Sequence, residues 1–453
     1  MTGNREITYS RRQFVRLAAS AAACGPLLLS PRGASGREKT LKIARWSHFL
    51  PEHDRWLVDV YAKEWGKQHD TTVEIDLIST DQIHARASAE TAAGKGHDLF
   101  MFPWPPAEFQ PYAIDHTEVY QTVGARHGTV NRIGHKSTFD PKTKKYFAFA
   151  DSWMPAPICY LGDYWTAVGA PAGPIHYNDL RVIGRHIREK MGVPCGLALG
   201  PGLEGNVTLH TLLYAFGGQV FDADGNVNIR KNYGTITALK YVKALYDDAG
   251  TPEQLTWGPS GNARAMQARK TSCTMSDISL LRGVEQDHPD IAKNILVRPP
   301  LLGSAGIMAT PYVTSCSVVW NFAENKEGAK QFLSDFIDNF RTAYEKSGGC
   351  SFPTYQNTVP NLIRRLEDDP KADPPYKYTR LKDALHWTPN LGFPGFATPA
   401  AMEAFNSSVL PRMFISVVKG QLSAEDAAGA AEVEVKRIAE KWKQVSQSAG
   451  KKG

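Results

Sequence analysis

The sequence predicts an α/β protein of two lobes, and three observations carry that prediction. At 453 residues the chain exceeds what one core of ordinary size holds, so two lobes are the default. Strand-like and helix-like stretches alternate along most of it, the pattern of sheets with crossover helices. The stretch Lys145 to Tyr160, KYFAFADSWMPAPICY, begins as a buried strand of aromatic and small residues but carries Pro155 and Pro157, which a central strand does not tolerate. It reads as a passage from one lobe to the other, with the change of environment near Asp151 to Met154. Seams between α/β lobes are where ligands bind.

The chain opens with Ser10 to Arg16, SRRQFVR, then the alanine-rich apolar run LAASAAACGPLLL, then the polar Pro31 to Gly36. Paired arginines before a modest apolar region and small residues are the pattern of a twin-arginine export signal, residues 1–36, with the mature protein starting near Arg37 in the periplasm. An uncleaved anchor needs about twenty apolar residues, and Gly25 and Pro26 interrupt this run. Cys24 is no lipid attachment site, because Leu27, Leu28 and Leu29 continue the apolar run beyond it.

Thr40 to Trp46 alternates as a strand, and Pro51 to His69 follows as a helix with Trp56, Val60 and Trp65 on one face. Thr71 to Ile78 is a second strand, Asp81 to Ala93 a helix stopped by Gly94 and Gly96, and Asp98 to Phe102 a third strand. The ligand edge of such a sheet lies at the strands' C-terminal ends, which hold Trp46 and His48, then Ser79 to Gln82, then Phe102 to Trp104. After the passage come a short helix at Asp163 to Val168, a helix from His176 to Lys190, and a strand at Gly196 to Leu199. The glycine-rich turn Gly200 to Asn206 then leaves Glu204 and Asn206 at a helix start, where capping and ligand contact are both open. Thr208 to Phe216 and Tyr233 to Ala249 are helices, with DADGN at 222–226 between them. That stretch is a hairpin turn, since the full calcium loop and its closing glutamate are missing. Thr271 to Met275 is a strand ending at Asp277. Ile295 to Leu302 is a second passage, Ser317 to Phe322 a strand and Glu327 to Tyr344 a helix. Ser347 to Pro353 is a third passage, and Pro399 to Val445 is helical.

Formal net charge is +6, but residues 1–36 hold five arginines and one acid, and the remainder carries 47 basic against 45 acidic groups, about +2. That balance argues against nucleic acid or an anionic membrane as partner. The six cysteines, Cys24, Cys159, Cys195, Cys273, Cys316 and Cys350, show neither CxxC nor close His pairing, so no zinc site or disulfide framework is indicated.

Taken together, the ARW strand end, GKGHDLFMF, KKYFAFADSW with CYLGDYWTAVG, YAFGGQVFDADGNV, WGPSGNARAMQARKTSCTMSD, NKEGAKQFLSDFI and GQLSAEDAA occur in an order and spacing that resembles the family 1 extracellular solute-binding proteins of ABC importers, the group of the maltose-binding protein. The resemblance covers almost the whole mature chain. It implies the two-lobed periplasmic binding protein fold with three chain crossings, a ligand held in the cleft, and lobes that close over it. The lobes would be 37–150 with 303–347, and 151–302 with 348–453. The usual tyrosine-asparagine after the central crossing is Tyr160-Leu161 here, and GHKSTFDPKTKKY is long and basic. By position the resemblance puts Trp46, His48, Phe102, Trp104, Glu204, Asn206 and Asp277 at the ligand, with Asp151 and Trp153 at the hinge.

A sugar presents CH-rich faces and a ring of hydroxyls, so its site needs aromatic walls with acids and amides at the edge. Trp46, Trp104, Trp153, Trp257 and Trp387 lie in predicted loops, whereas Trp56, Trp65 and Trp442 sit at helical spacing and pack structurally. Gln82 joins the edge set. Asp151, Glu204 and Asp277 would take hydrogen bonds from vicinal hydroxyls, with surface or capping roles as the alternative, and His48 would donate to an anionic ligand. The expectation is a monomeric binding protein without cofactor or metal, taking a carbohydrate or polyol and partnered by an inner-membrane ABC permease and the twin-arginine machinery. The rival is an exported enzyme, either a carbohydrate hydrolase or a cofactor carrier. GxGxxG after a strand, GxxxxGKS/T, HExxH and GxSxG are all missing, but the two carboxylates of a glycosidase leave no motif.

Overall fold

The computed structural model describes residues 39–450; the expected export signal, Cys24 and the three-residue tail lie outside them. Nine strands matter to the site: β1 (Lys39–Trp46), β2 (Thr71–Ile78), β3 (Leu99–Phe102), β4 (Phe149–Met154), β5 (Ile158–Leu161), β6 (Cys273–Met275), β7 (Ile295–Arg298), β8 (Val313–Val319) and β9 (Phe352–Pro353). Six form one sheet in the order β9-β4-β8-β3-β1-β2. Its β1, β2 and β3 run parallel, as the alternation of strands and helices requires. β8 enters antiparallel between β3 and β4, so the sheet is mixed. A second sheet, β6-β5-β7, is antiparallel throughout, unlike the crossover pattern expected of the later block.

The first crossing lies later than the expected 150/151 boundary. Asp151, Ser152 and Trp153 are all within β4, which pairs with β8 up to Met154. Pro155 and Pro157 then end the ladder, because proline has no N–H to donate, and Ile158 starts the second sheet. The second crossing is displaced in the same direction. Pro299 and Pro300 end β7, but a small hairpin at Leu302–Gly303 and Gly306–Ile307 keeps the chain on the second lobe, where the Ala305 N–H bonds the Ala215 carbonyl. Only at Tyr312, whose N–H donates to the Met154 carbonyl at 2.8 Å, does it rejoin the first sheet. The boundary at 347/348 shifts as well, since β9 pairs with β4 before the chain leaves for the last time.

Several expected elements change length for local reasons. The 51–68 helical run carries a π-turn at Leu57–Tyr61. Residues 196–199 lie extended beside β6, with the Gly196 N–H on the Cys273 carbonyl, but form no regular strand. Two helices before the central crossing, Thr117–His127 and α1 (Arg132–Thr138), have no counterpart in the sequence reading. On the second lobe, α2 (Leu203–Ala215) starts five residues earlier than its apolar pattern and is buried almost throughout. It packs on α3 (Tyr233–Ala249), whose first turn is capped by the Asn232 side chain. The C-terminal stretch is three helices, α4 (Pro399–Asn406), α5 (Val409–Val418) and α6 (Ala424–Gly450), broken at Ser407–Ser408 and at Gly420. α5 packs on α2 and α3, and α6 on α3 and α5, while α4 reaches across to the first lobe near Phe109. No helix among the described residues is long and apolar enough to cross a membrane.

Trp56 and Trp65 are buried against Phe336 and Phe332, and Trp442 bonds Glu403 through its indole N–H, the packing roles that helical spacing assigns them. The DADGN stretch is a turn closed by the Asp222 carboxylate, which accepts from the Asp224 and Asn226 N–H groups.

Candidate functional site

Where the lobes face each other, a cleft of about 370 Å³ opens. The first lobe contributes Thr80, Asp81, His84 and Ala85, from the turn after β2 and the helix at Ile83–Ala93, together with Trp104 just beyond β3. The second contributes Pro201 to Glu204, Asn206 and Pro259, and the end of α4 closes the mouth with Phe405 and Asn406. The strand-end rule therefore holds on the first lobe, while the second lobe supplies the start of a helix.

The geometry at that helix start is set by close backbone approach. A Cβ at Gly205 would stand 1.8 Å from the Gly200 carbonyl oxygen, so only glycine lets the turn fold back on α2. Gly202, at φ +124°, supplies the reversal. Glu204 and Asn206 flank Gly205 and are directed to the cleft. Glu204 Oε1 accepts the Ser260 N–H at 2.8 Å and holds Ser260 in a left-handed conformation, φ +56°. Asn206 Nδ2 donates to the Gly202 carbonyl at 3.0 Å, which fixes the amide so that its buried Oδ1 is left without a partner. On the opposite wall the Trp104 indole N–H is likewise buried and unpartnered, with its ring 6.0 Å from that of Phe405. Orphaned polar atoms of this kind are rare in folded proteins unless water or a ligand meets them.

Behind Glu204 lies Asp277, almost wholly buried. Its Oδ1 accepts the Ser279 N–H while Oδ2 has no partner. Burial first, and the neighbouring Glu204 in addition, push its carboxyl up to about 6. Burial raises Glu204 too, against the Ser260 hydrogen bond and Arg264, which pull it down. Tyr312, at the second crossing, stands in the field of both acids and packs edge-on to Phe49, so it joins the acidic wall to the loop after β1.

Other expected site residues lie elsewhere. Phe102 is fully buried in a cluster with Phe100, Phe109 and Trp320, because its strand is apolar on both faces. Asp151 accepts the Ser152 and Ser315 hydroxyls inside the first sheet, and Trp153 packs on Phe352 over a separate cavity that includes Asn131 and Leu381. His48 is buried with both ring nitrogens engaged. Nδ1 accepts the Leu50 N–H, which leaves Nε2–H to donate to Ser351. Burial and then Arg45 hold it down to about 3, so it is a neutral packing residue and not a donor to an anion. Trp46 is buried between His48 and Phe49, with the Arg45 guanidinium 5.6 Å from its ring centroid. Arg45 in turn is held by His53 and Asp54. Gln82 is exposed just before the helix while its neighbours Asp81 and His84 line the cleft. Trp257 is half-buried against Gly261, and Trp387 is buried with its carbonyl on the Ala309 N–H. Of the expected set, Trp104, Glu204 and Asn206 meet at the cleft, with Asp277 directly behind.

The sequence reading had Asp81 within the Ser79 to Gln82 edge but singled out Gln82, and it missed His84, Tyr312, Phe405 and Asn406. The same strand-end rule covers Asp81. Phe405 and Asn406 had no local signal, since only the fold-back of the C-terminal helices brings them to the mouth.

Residues 51–337 match the family described as bacterial extracellular solute-binding protein. No curated protein matches the chain. Among solved structures, an ABC transporter solute-binding protein from Thermotoga lettingae TMO, bound with alpha-D-tagatose, is 17% identical with a TM-score of 0.74, over 88% of this chain and 100% of that one. Maltose-bound MalE3 of T. maritima is 19% identical with a TM-score of 0.72, over 88% and 99%. A solute-binding protein from Agrobacterium radiobacter K84, in complex with ribitol, is 17% identical with a TM-score of 0.69, over 88% and 98%.

Proposed function

The chain belongs to the bacterial extracellular solute-binding proteins, and from that premise we propose that it captures a small carbohydrate or polyol between its lobes and delivers it to the permease of an ABC importer. The observation that carries this reading is that Trp104 and Asn206, one from each lobe, line the same cleft with a buried, unpartnered group apiece, the indole N–H and the Oδ1, beside the rings of Trp104 and Phe405. Aromatic faces take the CH-rich side of a sugar, and the polar groups take its hydroxyls. A cleft of about 370 Å³ is at the small end of ligand sites, which run from about 300 to 1,000 Å³, so a mono- or disaccharide suits it better than a longer chain. The sugar and polyol ligands of the structural neighbours agree in kind.

The first lobe in this reading is 39–154 with 312–353, and the second is 158–311 with the C-terminal helices. They close about the crossings, and binding shifts the open-to-closed equilibrium by the difference in affinity of the two forms. The protein works as a monomer in the periplasm after twin-arginine export, and its ligand leaves chemically unchanged. A thermal-shift screen of sugars and polyols followed by titration of the best hit tests this. Stabilisation without turnover is the expected result; cleavage of any oligosaccharide would replace the binding reading with a hydrolase.

A further inference from the structure

We infer that the cleft selects a polyhydroxylated ligand carrying an ammonium group, an amino sugar or amino polyol, over its neutral counterpart. The inference rests on the carbohydrate reading above and narrows it. The charged side chains that line the cleft are Asp81 and Glu204, with neither lysine nor arginine among the described lining residues. Asp277 adds a second buried carboxylate behind Glu204, and Tyr312 brings no positive charge to them. Arg264, in the field of Glu204, is exposed and already donates to the Pro259 carbonyl, and Arg412 at the mouth is paired with Glu434. His84 Nε2 lies 3.4 Å from the Glu108 carboxylate, beside an acid of its own lobe but without a hydrogen bond.

Hydrogen-bonding capacity points the same way. Asn206 lines the cleft with an unspent acceptor, Oδ1, and Asp277 behind it holds another, Oδ2, because each group's remaining polar atom is tied to the backbone. A hydroxyl brings one donor and two lone pairs to such a wall, whereas an ammonium brings three donors and no acceptor. The ammonium also compensates two carboxylates that burial and mutual repulsion leave costly, and the Trp104 and Phe405 rings favour a cation over their faces. An anionic sugar, such as a phosphorylated one, meets the repulsion of these carboxylates. The Trp104 N–H remains for a hydroxyl oxygen, which keeps the ligand a sugar or polyol rather than a bare amine.

Calorimetric titration of the mature protein with matched pairs tests this: glucosamine and glucose, galactosamine and galactose, mannosamine and mannose, glucamine and sorbitol. The expected result is at least tenfold tighter binding of the amine in the pair that fits, and a ratio falling toward one in Glu204→Gln, an isosteric change that can still accept the Ser260 N–H. Should that variant not fold, Asp81→Asn on the exposed turn after β2 is expected to reduce the ratio severalfold. Equal affinities, or a preference for the neutral partner, overturn the amine inference and leave the carbohydrate reading standing. Silence from every member of every pair overturns both.

Discussion

At the level of single residues, Trp104 separates the two things an aromatic wall does. Trp104→Phe keeps a ring and removes only the unpartnered N–H; a neutral hydrogen bond contributes about 1 kcal/mol, so ligand affinity should fall about fivefold. Trp104→Ala also removes the ring face and should cost about 3 kcal/mol, or about a hundredfold. Titration of both variants with one ligand checks the order, and equal losses would mean that the N–H alone matters. Below the cleft, His210 is buried against Phe405, with Nδ1–H donating to the Asn206 carbonyl. Burial holds it down to about 4, against that hydrogen bond. Between pH 6.5 and 4 the unfolded chain therefore binds a proton that the folded one refuses. Stability from this group is complete above pH 6.5 and is lost as the pH falls, by about 3 kcal/mol at pH 4.5. In His210→Asn that loss should vanish. The gap between wild-type and variant unfolding free energies should then shift by this amount from pH 7 to 4.5 in denaturant titrations. Trp104, Glu204 and Asn206 were legible as residues because strand ends and glycine turns fix where a backbone meets a cleft. His48 and Phe102 were misread by the same rule, which locates a backbone but says nothing of whether the side chain turns outward or into the core.

At the level of elements, the start of α2 is the feature on which the site depends. Its first turn approaches residue 200 so closely that a methyl group at 205 has no room, and the obstacle is backbone, which cannot rotate away. Gly205→Ala should lower stability by about 3 kcal/mol and weaken ligand binding at least tenfold, because Glu204 and Asn206 move with the helix start. A melting curve together with a titration measures both; unchanged affinity in a folded variant would show that those two side chains do not touch the ligand. The glycines at 200, 202 and 205 made this turn readable, as the alternation of apolar residues did for β1, β2 and β3. The antiparallel second sheet was harder. β5, β6 and β7 are only three or four residues each, too short for a period to register, and their partners lie more than a hundred residues apart in sequence. The helices at Thr117–His127 and Arg132–Thr138 are short, the first is only weakly amphipathic, and they are held by packing and by the Asn131 cap at the second of them.

For the molecule as a whole, the informative contacts are those that join the lobes without belonging to a crossing. Asn406 at the end of α4 donates to Glu108 of the first lobe, beside the Phe405–Trp104 contact, so the mouth of the cleft is latched by the C-terminal helices. A second tie lies further along. Lys136 of α1 donates to the Pro394 carbonyl at 2.9 Å and takes the Ala397 N–H on its own carbonyl, while Phe393 packs on Tyr214 of α2. The segment before α4 is thus fastened to both lobes, and opening must break one set of contacts or carry the segment along. The Asn406 latch is the weaker candidate to survive, being one side-chain bond at a half-buried rim. Removing it in Asn406→Ala should therefore favour the open form and speed release. A hydrogen bond to a charged group contributes about 1.5 kcal/mol or more when buried and less at a rim, so the dissociation rate should rise about fivefold. Association should change little, since it begins from the open form in either protein. Stopped-flow measurement of both rates decides the matter. A slower association with unchanged release would place Asn406 in ligand capture instead, and no change in either would mean that the segment at 393–397 alone holds the lobes together.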